Sequence, residues 1–148
     1  MSGAFDFGPS TYLIDNSFFA RITHPLIRPI WEQGVDRGRL VSCGPFVLEA
    51  LYSARDADDA ERLRLELLEG IAYVAPDEGA WRNACAAQVA LAHVSERFHR
   101  RPPIDYLIAA TAGQHGLGVL HYDHDYDHIA NHAALDFESR WIAEPGSL

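Results

Sequence analysis

Lysine is absent from the 148 residues, and the 12 basic side chains are all arginine against 21 aspartates and glutamates, for a formal net charge of -9. That deficit of positive charge excludes the usual basic footprint of a nucleic-acid-binding domain, so any contact with RNA or DNA has to be arranged locally. The lack of lysine beside plentiful Ala, Arg and Gly is first of all a mark of GC-rich coding. Cysteine is scarce too. Cys43 and Cys85 stand far apart and in no C-x-x-C spacing, which excludes a disulfide framework or a thiolate zinc site and fits reduced thiols. No window nears the ~20 apolar residues of a membrane span, and the opening MSGAFDFGPS lacks the basic and apolar regions of a signal peptide. The expectation is a soluble, cytoplasmic protein with no membrane partner. With 48% hydrophobic residues the chain has enough apolar material for one core.

What is present reads as strands alternating with helices. A polar, flexible arm over residues 1–10 precedes a short buried strand, Thr11 to Ile14, which stops at Asp15-Asn16-Ser17, three good helix-capping residues. His24-Pro25 interrupts the following helix, Pro29 to Gly38 forms another, and Leu40 to Cys43 is a second strand. Pro45 suits the first turn of a helix carrying Phe46 to Leu51. Ala54 to Asp59 reads as a loop, Leu63 to Leu68 as a helix ending at Gly70, Ile71 to Val74 as a strand, and Asp77 to Phe98 as one long helix. Consecutive prolines at 102 and 103 break the chain. Asp105 opens the next helix, Gly116 ends it, and Leu117 to Tyr122 is a buried strand closed by Asp123. A short helix over Asp125 to Asn131, a last strand including Phe137, Trp141 and Ile142, and a loose tail over 144–148 complete the chain. This alternation implies a three-layer α/β domain with mainly parallel pairings, whose ligands gather beyond the carboxyl ends of the strands.

Asp15 and Asp123 each follow a strand directly, so a parallel sheet brings them to one edge although 108 residues separate them. Asp105 sits behind the double proline, and Glu49 is embedded among Val47, Leu48, Ala50 and Leu51. Taken singly, Asp15 and Asp105 are also good N-caps, Glu49 a solvated helix residue, and Asp123, Asp125 and Asp127 a hydrophilic loop. Taken together, converging carboxylates without lysine repel one another unless a divalent cation neutralises them, and Mg²⁺ or Mn²⁺ suits oxygen ligands.

The segments Leu13-Ile14-Asp15-Asn16-Ser17, Val47-Leu48-Glu49, Pro103 to Ala112 and Leu120-His121-Tyr122-Asp123-His124-Asp125-Tyr126-Asp127 resemble, in order and spacing, the PIN-domain ribonucleases, and among them the VapC toxins of bacterial VapBC toxin–antitoxin pairs. The likeness runs from about residue 11 to 143. It implies an α/β/α PIN-like fold and a Mg²⁺- or Mn²⁺-dependent toxin endoribonuclease held inactive by a VapB-like antitoxin, and a homodimer is expected. Carried over residue by residue, the four acidic positions fall on Asp15, Glu49, Asp105 and Asp123, with Asp125 as a further metal ligand. Ser17 matches a supporting hydroxyl, Asn16 the variable position beside it, and Tyr126 the usual aromatic. Thr111 is a further expected support, and Arg100 and Arg101 are candidate phosphate contacts, although solvated helix-end residues would look the same. Asp127 lies beyond the pattern and reads as a surface residue.

Three rivals share the sequence. His124, His128 and His132, with His121 nearby, have the spacing of a zinc-binding helix face, but a single-face row does not wrap a tetrahedral ion. A PIN-like DNA or structure-specific nuclease would need basic insertions that are absent, and a non-catalytic binding module has no use for all four acids. Phe18, Phe19, Trp31, Leu51 and Tyr52 are either core or the lining of a dimer and antitoxin groove.

Overall fold

The computed structural model describes residues 5–148. Five parallel strands form one sheet in the order β3-β2-β1-β4-β5: β1 Tyr12–Ile14, β2 Leu40–Cys43, β3 Ala72–Val74, β4 Gly118–His121 and β5 Glu138–Trp141. The three central strands are buried throughout, which is why they read as unbroken apolar runs and not as alternating ones. Edge strands β3 and β5 are partly exposed. Register is tight enough to forbid a side chain at Gly118, where an added Cβ would stand 2.6 Å from the Tyr12 ring.

Among the described residues seven helices pack around the sheet: α1 Asn16–Phe19, α2 Arg28–Asp36, α3 Gly44–Tyr52, α4 Ala57–Glu69, α5 Glu78–Ala92, α6 Pro103–Gln114 and α7 His124–His132. Right-handed crossovers send connections that build outward from β1 toward β3 to one face, and those leading through β4 to β5 to the other. The packing follows: α3 lies on α4, while α5, α6 and α7 pack together. Phe18, Phe46, Leu67, Leu91, Ile108 and Tyr126 fill the core. Between β1 and β4 the direction of winding reverses, and a crevice opens at the carboxyl ends of these two strands.

The structure corrects several boundaries. Asp56 accepts from Asp59 N–H at 2.8 Å and starts α4 at Ala57, inside the stretch expected as a loop. The long helix expected to reach Phe98 ends at Ala92, and Arg97 takes a φ of 66° in the turns that follow. These turns are tied down by Tyr106, whose hydroxyl donates to His99 C=O at 2.9 Å. Pro102, not Asp105, is the N-cap of α6. The arm was expected to be flexible over 1–10. Residues 1–4 lie outside the described residues, but Phe7 is buried against Tyr12, and Arg39 donates to Pro9 C=O at 2.9 Å. The tail, expected loose, is exposed yet turns back so that Leu148 N–H donates to the Tyr122 hydroxyl at 3.0 Å.

Candidate active site

The crevice between β1 and β4 is an acidic pocket of about 250 Å³ whose lining includes Asp15, Asn16, Ser17, Glu49, Asp105 and Asp123. Asp15 caps α1, its Oδ2 accepting from Ser17 N–H at 2.9 Å and from the Ser17 hydroxyl at 2.5 Å. The same hydroxyl accepts from Tyr122 N–H at 2.8 Å, so Ser17 ties the end of β1 to the end of β4. Asp123 caps α7 through Asp125 N–H at 2.9 Å. Both strand-end aspartates are therefore helix caps and pocket walls at once, and each capping bond leaves lone pairs free.

Asp105 is different. It enters on the first turn of α6, only 7% exposed, and caps nothing. Its Oδ1 lies 3.3 Å from the Tyr126 hydroxyl, which itself donates to Asp15 Oδ1 at 2.6 Å, and its Oδ2 is buried with no hydrogen-bond partner. Burial and then the charges of Asp15, Asp123 and Asp125 push the Asp105 carboxyl up to about 9, so without a counter-charge it holds a proton at neutral pH. Asp123 is also raised, chiefly by burial. Burial and the neighbouring Asp15 raise the Tyr126 phenol well above its ordinary value, which keeps it a donor.

An orphaned carboxylate oxygen among like charges is what a divalent cation satisfies. Asp105, Asp123 and Asp125 offer oxygens within 4.8 Å of one another, the one such group of three among the described residues. Asp15 and the half-buried Glu49 line the same pocket outside that compact trio. Asp125 is shared: Arg101, expected to contact phosphate, pairs with it at 2.5 Å, is bound to Phe98 C=O at 3.0 Å and is only 14% exposed. Arg100 is exposed and does not line the pocket. Thr111, expected as a support, donates its hydroxyl to Leu107 C=O at 2.7 Å within α6 and is fully buried. Asn16 lies on the pocket wall.

Asp127 is not a surface residue. It accepts from the Ser139 hydroxyl at 2.8 Å and from Trp141 Nε1–H at 2.9 Å, joining α7 to β5. Since Ser139 gives its proton to Asp127, its oxygen accepts from His121 Nε2–H at 2.7 Å, while His121 Nδ1 accepts from Asp123 N–H at 3.1 Å. One neutral tautomer satisfies all of these bonds, and burial lowers His121 to about 4. The other histidines do not converge: His124 meets the edge of Trp141, and His128 and His132 flank Phe98. Phe18 is core at 0% exposure, whereas Phe19 and Trp31 are half-buried and meet edge to face, and Tyr52 stands in solvent at 91%.

The PIN domain profile matches residues 12–132. The chain belongs to the PIN-domain family. Within it the similarity is to the VapC branch. Ribonuclease VapC21 of Mycobacterium tuberculosis is 36% identical over 137 residues, covering 92% of this chain and 96% of that protein. Ribonuclease VapC18 of the same organism is 33% identical over 138 residues, covering 93% and 98%. Among solved structures, the DNA-bound VapBC of Salmonella typhimurium aligns with a TM-score of 0.65 at 18% identity, covering 90% of this chain and 99% of the matched one. VapBC2 of Rickettsia felis, bound to a promoter fragment, gives 0.66 at 12% identity, covering 88% and 98%. These structural likenesses establish the shared PIN-like α/β/α fold.

Proposed function

We propose that this PIN-domain chain is the toxin of a toxin–antitoxin pair: an endoribonuclease that hydrolyses RNA phosphodiester bonds using a bound Mg²⁺ or Mn²⁺ ion, silenced by a VapB-like antitoxin. The observation that carries this reading is the orphaned Asp105 Oδ2 in a pocket shared with Asp15 and Asp123 at the sheet's switch point, in a chain similar to proteins named ribonucleases. Asp105 and Asp123 would hold the ion, with Asp15 and Glu49 on the adjoining wall and Asp125 available once Arg101 yields. A divalent ion at such a site lowers the pKa of bound water and offsets charge on phosphate oxygens.

The protein's own part is preorganisation. Ser17 and Tyr126 together place three donors on Asp15, which fixes both of its oxygens. His121 holds the backbone of Asp123 through its N–H. The proton on Asp105 has to leave as the ion enters, so loading is favoured by rising pH. Cys43, pushed up to about 11 by burial, is no nucleophile at neutral pH.

For the antitoxin, the acidic pocket suits an inserted arginine, whose planar fork binds carboxylates. The pocket adjoins a larger groove of about 610 Å³, with which it shares Asn16 and Ala20; Phe19, Ile22 and Leu63 give that groove its apolar floor. Phe18 belongs to the core and not to this surface. The homodimer belongs to the same proposal: Leu48, Tyr73 and Trp81 are exposed around an apolar groove of about 490 Å³ that a second copy would cover. The test of the activity is direct. Purified chain should cleave single-stranded RNA and spare single-stranded DNA with Mg²⁺ or Mn²⁺ present, and undiminished cleavage in excess EDTA would overturn the proposal.

A further inference from the structure

The acidic pocket has one basic side chain on its wall, Arg21. Helix α1 ends at Phe19, and the turn after it brings Arg21 back over the pocket rim, where its Nη1 donates to Ser17 C=O at 2.7 Å. Its guanidinium carbon lies 4.6 Å from the centre of the Tyr122 ring. One hydrogen bond and one ring contact hold the group in place, and four of the five N–H donors of a guanidinium are left for something else. Six arginines, at 28, 55, 62, 64, 82 and 101, each pair with a carboxylate; among the described residues Arg21 forms no ion pair. Thus a positively charged group is held, oriented and unpaired, beside carboxylates that would otherwise repel any phosphate.

We propose that Arg21 binds a phosphate of the RNA strand at the rim of the pocket, the role expected of Arg100 and Arg101. The inference rests on the endoribonuclease reading. Guanidinium geometry matches two phosphate oxygens at once, and a side chain already fixed by Ser17 and Tyr122 loses little freedom on binding. The competing explanation is that Arg21 only caps the end of α1 and covers Tyr122.

The two differ in how they respond to salt. Arg21→Gln and Arg21→Lys in the full chain are compared with wild type on a single-stranded RNA oligonucleotide, in Mn²⁺, over a range of monovalent salt. Losing one charge-assisted contact should raise KM about tenfold in the Gln variant, more than it lowers kcat. The slope of log kcat/KM against log salt should flatten by about 0.7, one phosphate contact on a single strand. The Lys variant, which keeps the charge but not the fork, should retain the wild-type slope with a KM raised severalfold. A wild-type KM and slope in the Gln variant overturns the inference, as does a lowered Tm with an unchanged slope. If the Gln variant does not fold, a Lys variant with wild-type KM overturns it equally. Failure of wild type to cleave RNA at all overturns the nuclease reading and this inference together, whereas normal cleavage with unaffected Arg21 variants removes this inference alone.

Discussion

Asp105→Asn should stabilise the metal-free protein, and by an amount that grows with pH. In the unfolded chain an aspartate releases its proton above about 3.9; in the folded chain Asp105 keeps it up to about 9, because burial and then Asp15, Asp123 and Asp125 oppose its charge. Between those values the folded state binds more protons than the unfolded one, so stability falls as pH rises. At about 1.36 kcal/mol per unit, the penalty reaches roughly 2 kcal/mol near pH 5.5 and roughly 5 near pH 7.5. Asparagine never ionises, and its amide can donate toward Asp123 and Asp125. Chemical denaturation in EDTA should therefore show the variant's advantage widening by about 2.7 kcal/mol over those two pH units. Saturating Mn²⁺ should narrow the gap, adding about 2.7 kcal/mol to wild type at a hundred times Kd and less to the variant. A difference between the two proteins that does not change with pH would refute the reasoning, since size and packing are nearly the same.

Tyr126→Phe removes the fully buried hydroxyl that donates to Asp15; a charge-assisted bond of that kind is worth about 1.5–3 kcal/mol, and the variant should unfold at correspondingly lower urea and cleave more slowly. Below about pH 6.5 the unfolded chain protonates His121 while the folded chain resists down to about 4, so this residue's contribution is present above the upper value and lost as pH falls between the two. His121→Asn should flatten that acid limb of the stability curve, and an unchanged limb would assign the acid loss to other groups. Light scattering should give a dimer whose mass drops with Leu48→Glu or Trp81→Glu; a wild-type monomer would refute the homodimer.

The strands and two of the acids were legible because their signals are local. Ile14-Asp15 and His121-Tyr122-Asp123 each place an aspartate just beyond an apolar run, and a parallel sheet converts that into convergence. Asp105 was singled out, but the double proline moved the cap to Pro102 and left the carboxylate facing the pocket. Other roles depend on partners far along the chain. Arg101 looked free because Asp125 is 24 residues away, and Asp127 looked exposed because Ser139 and Trp141 belong to an edge strand with a weak pattern. Thr111 fell on the buried face as its periodicity required, yet a hydroxyl there is satisfied one turn back by Leu107. Arg21 gave no motif signal at all; its place follows from a four-residue helix that returns it over Ser17.

If the clustered carboxylates hold a divalent ion that RNA cleavage needs, metal affinity and cleavage are lost together. The most direct test titrates Mn²⁺ into wild type, Asp15→Asn, Asp105→Asn and Asp123→Asn by calorimetry and assays the same samples on single-stranded RNA. Wild type should bind and cleave, with binding tighter at higher pH as Asp105 gives up its proton. Folded Asp105→Asn and Asp123→Asn should lose cleavage together with Mn²⁺ affinity, and Asp15→Asn should lose cleavage. Wild-type turnover in a variant that no longer binds Mn²⁺ would contradict the claim.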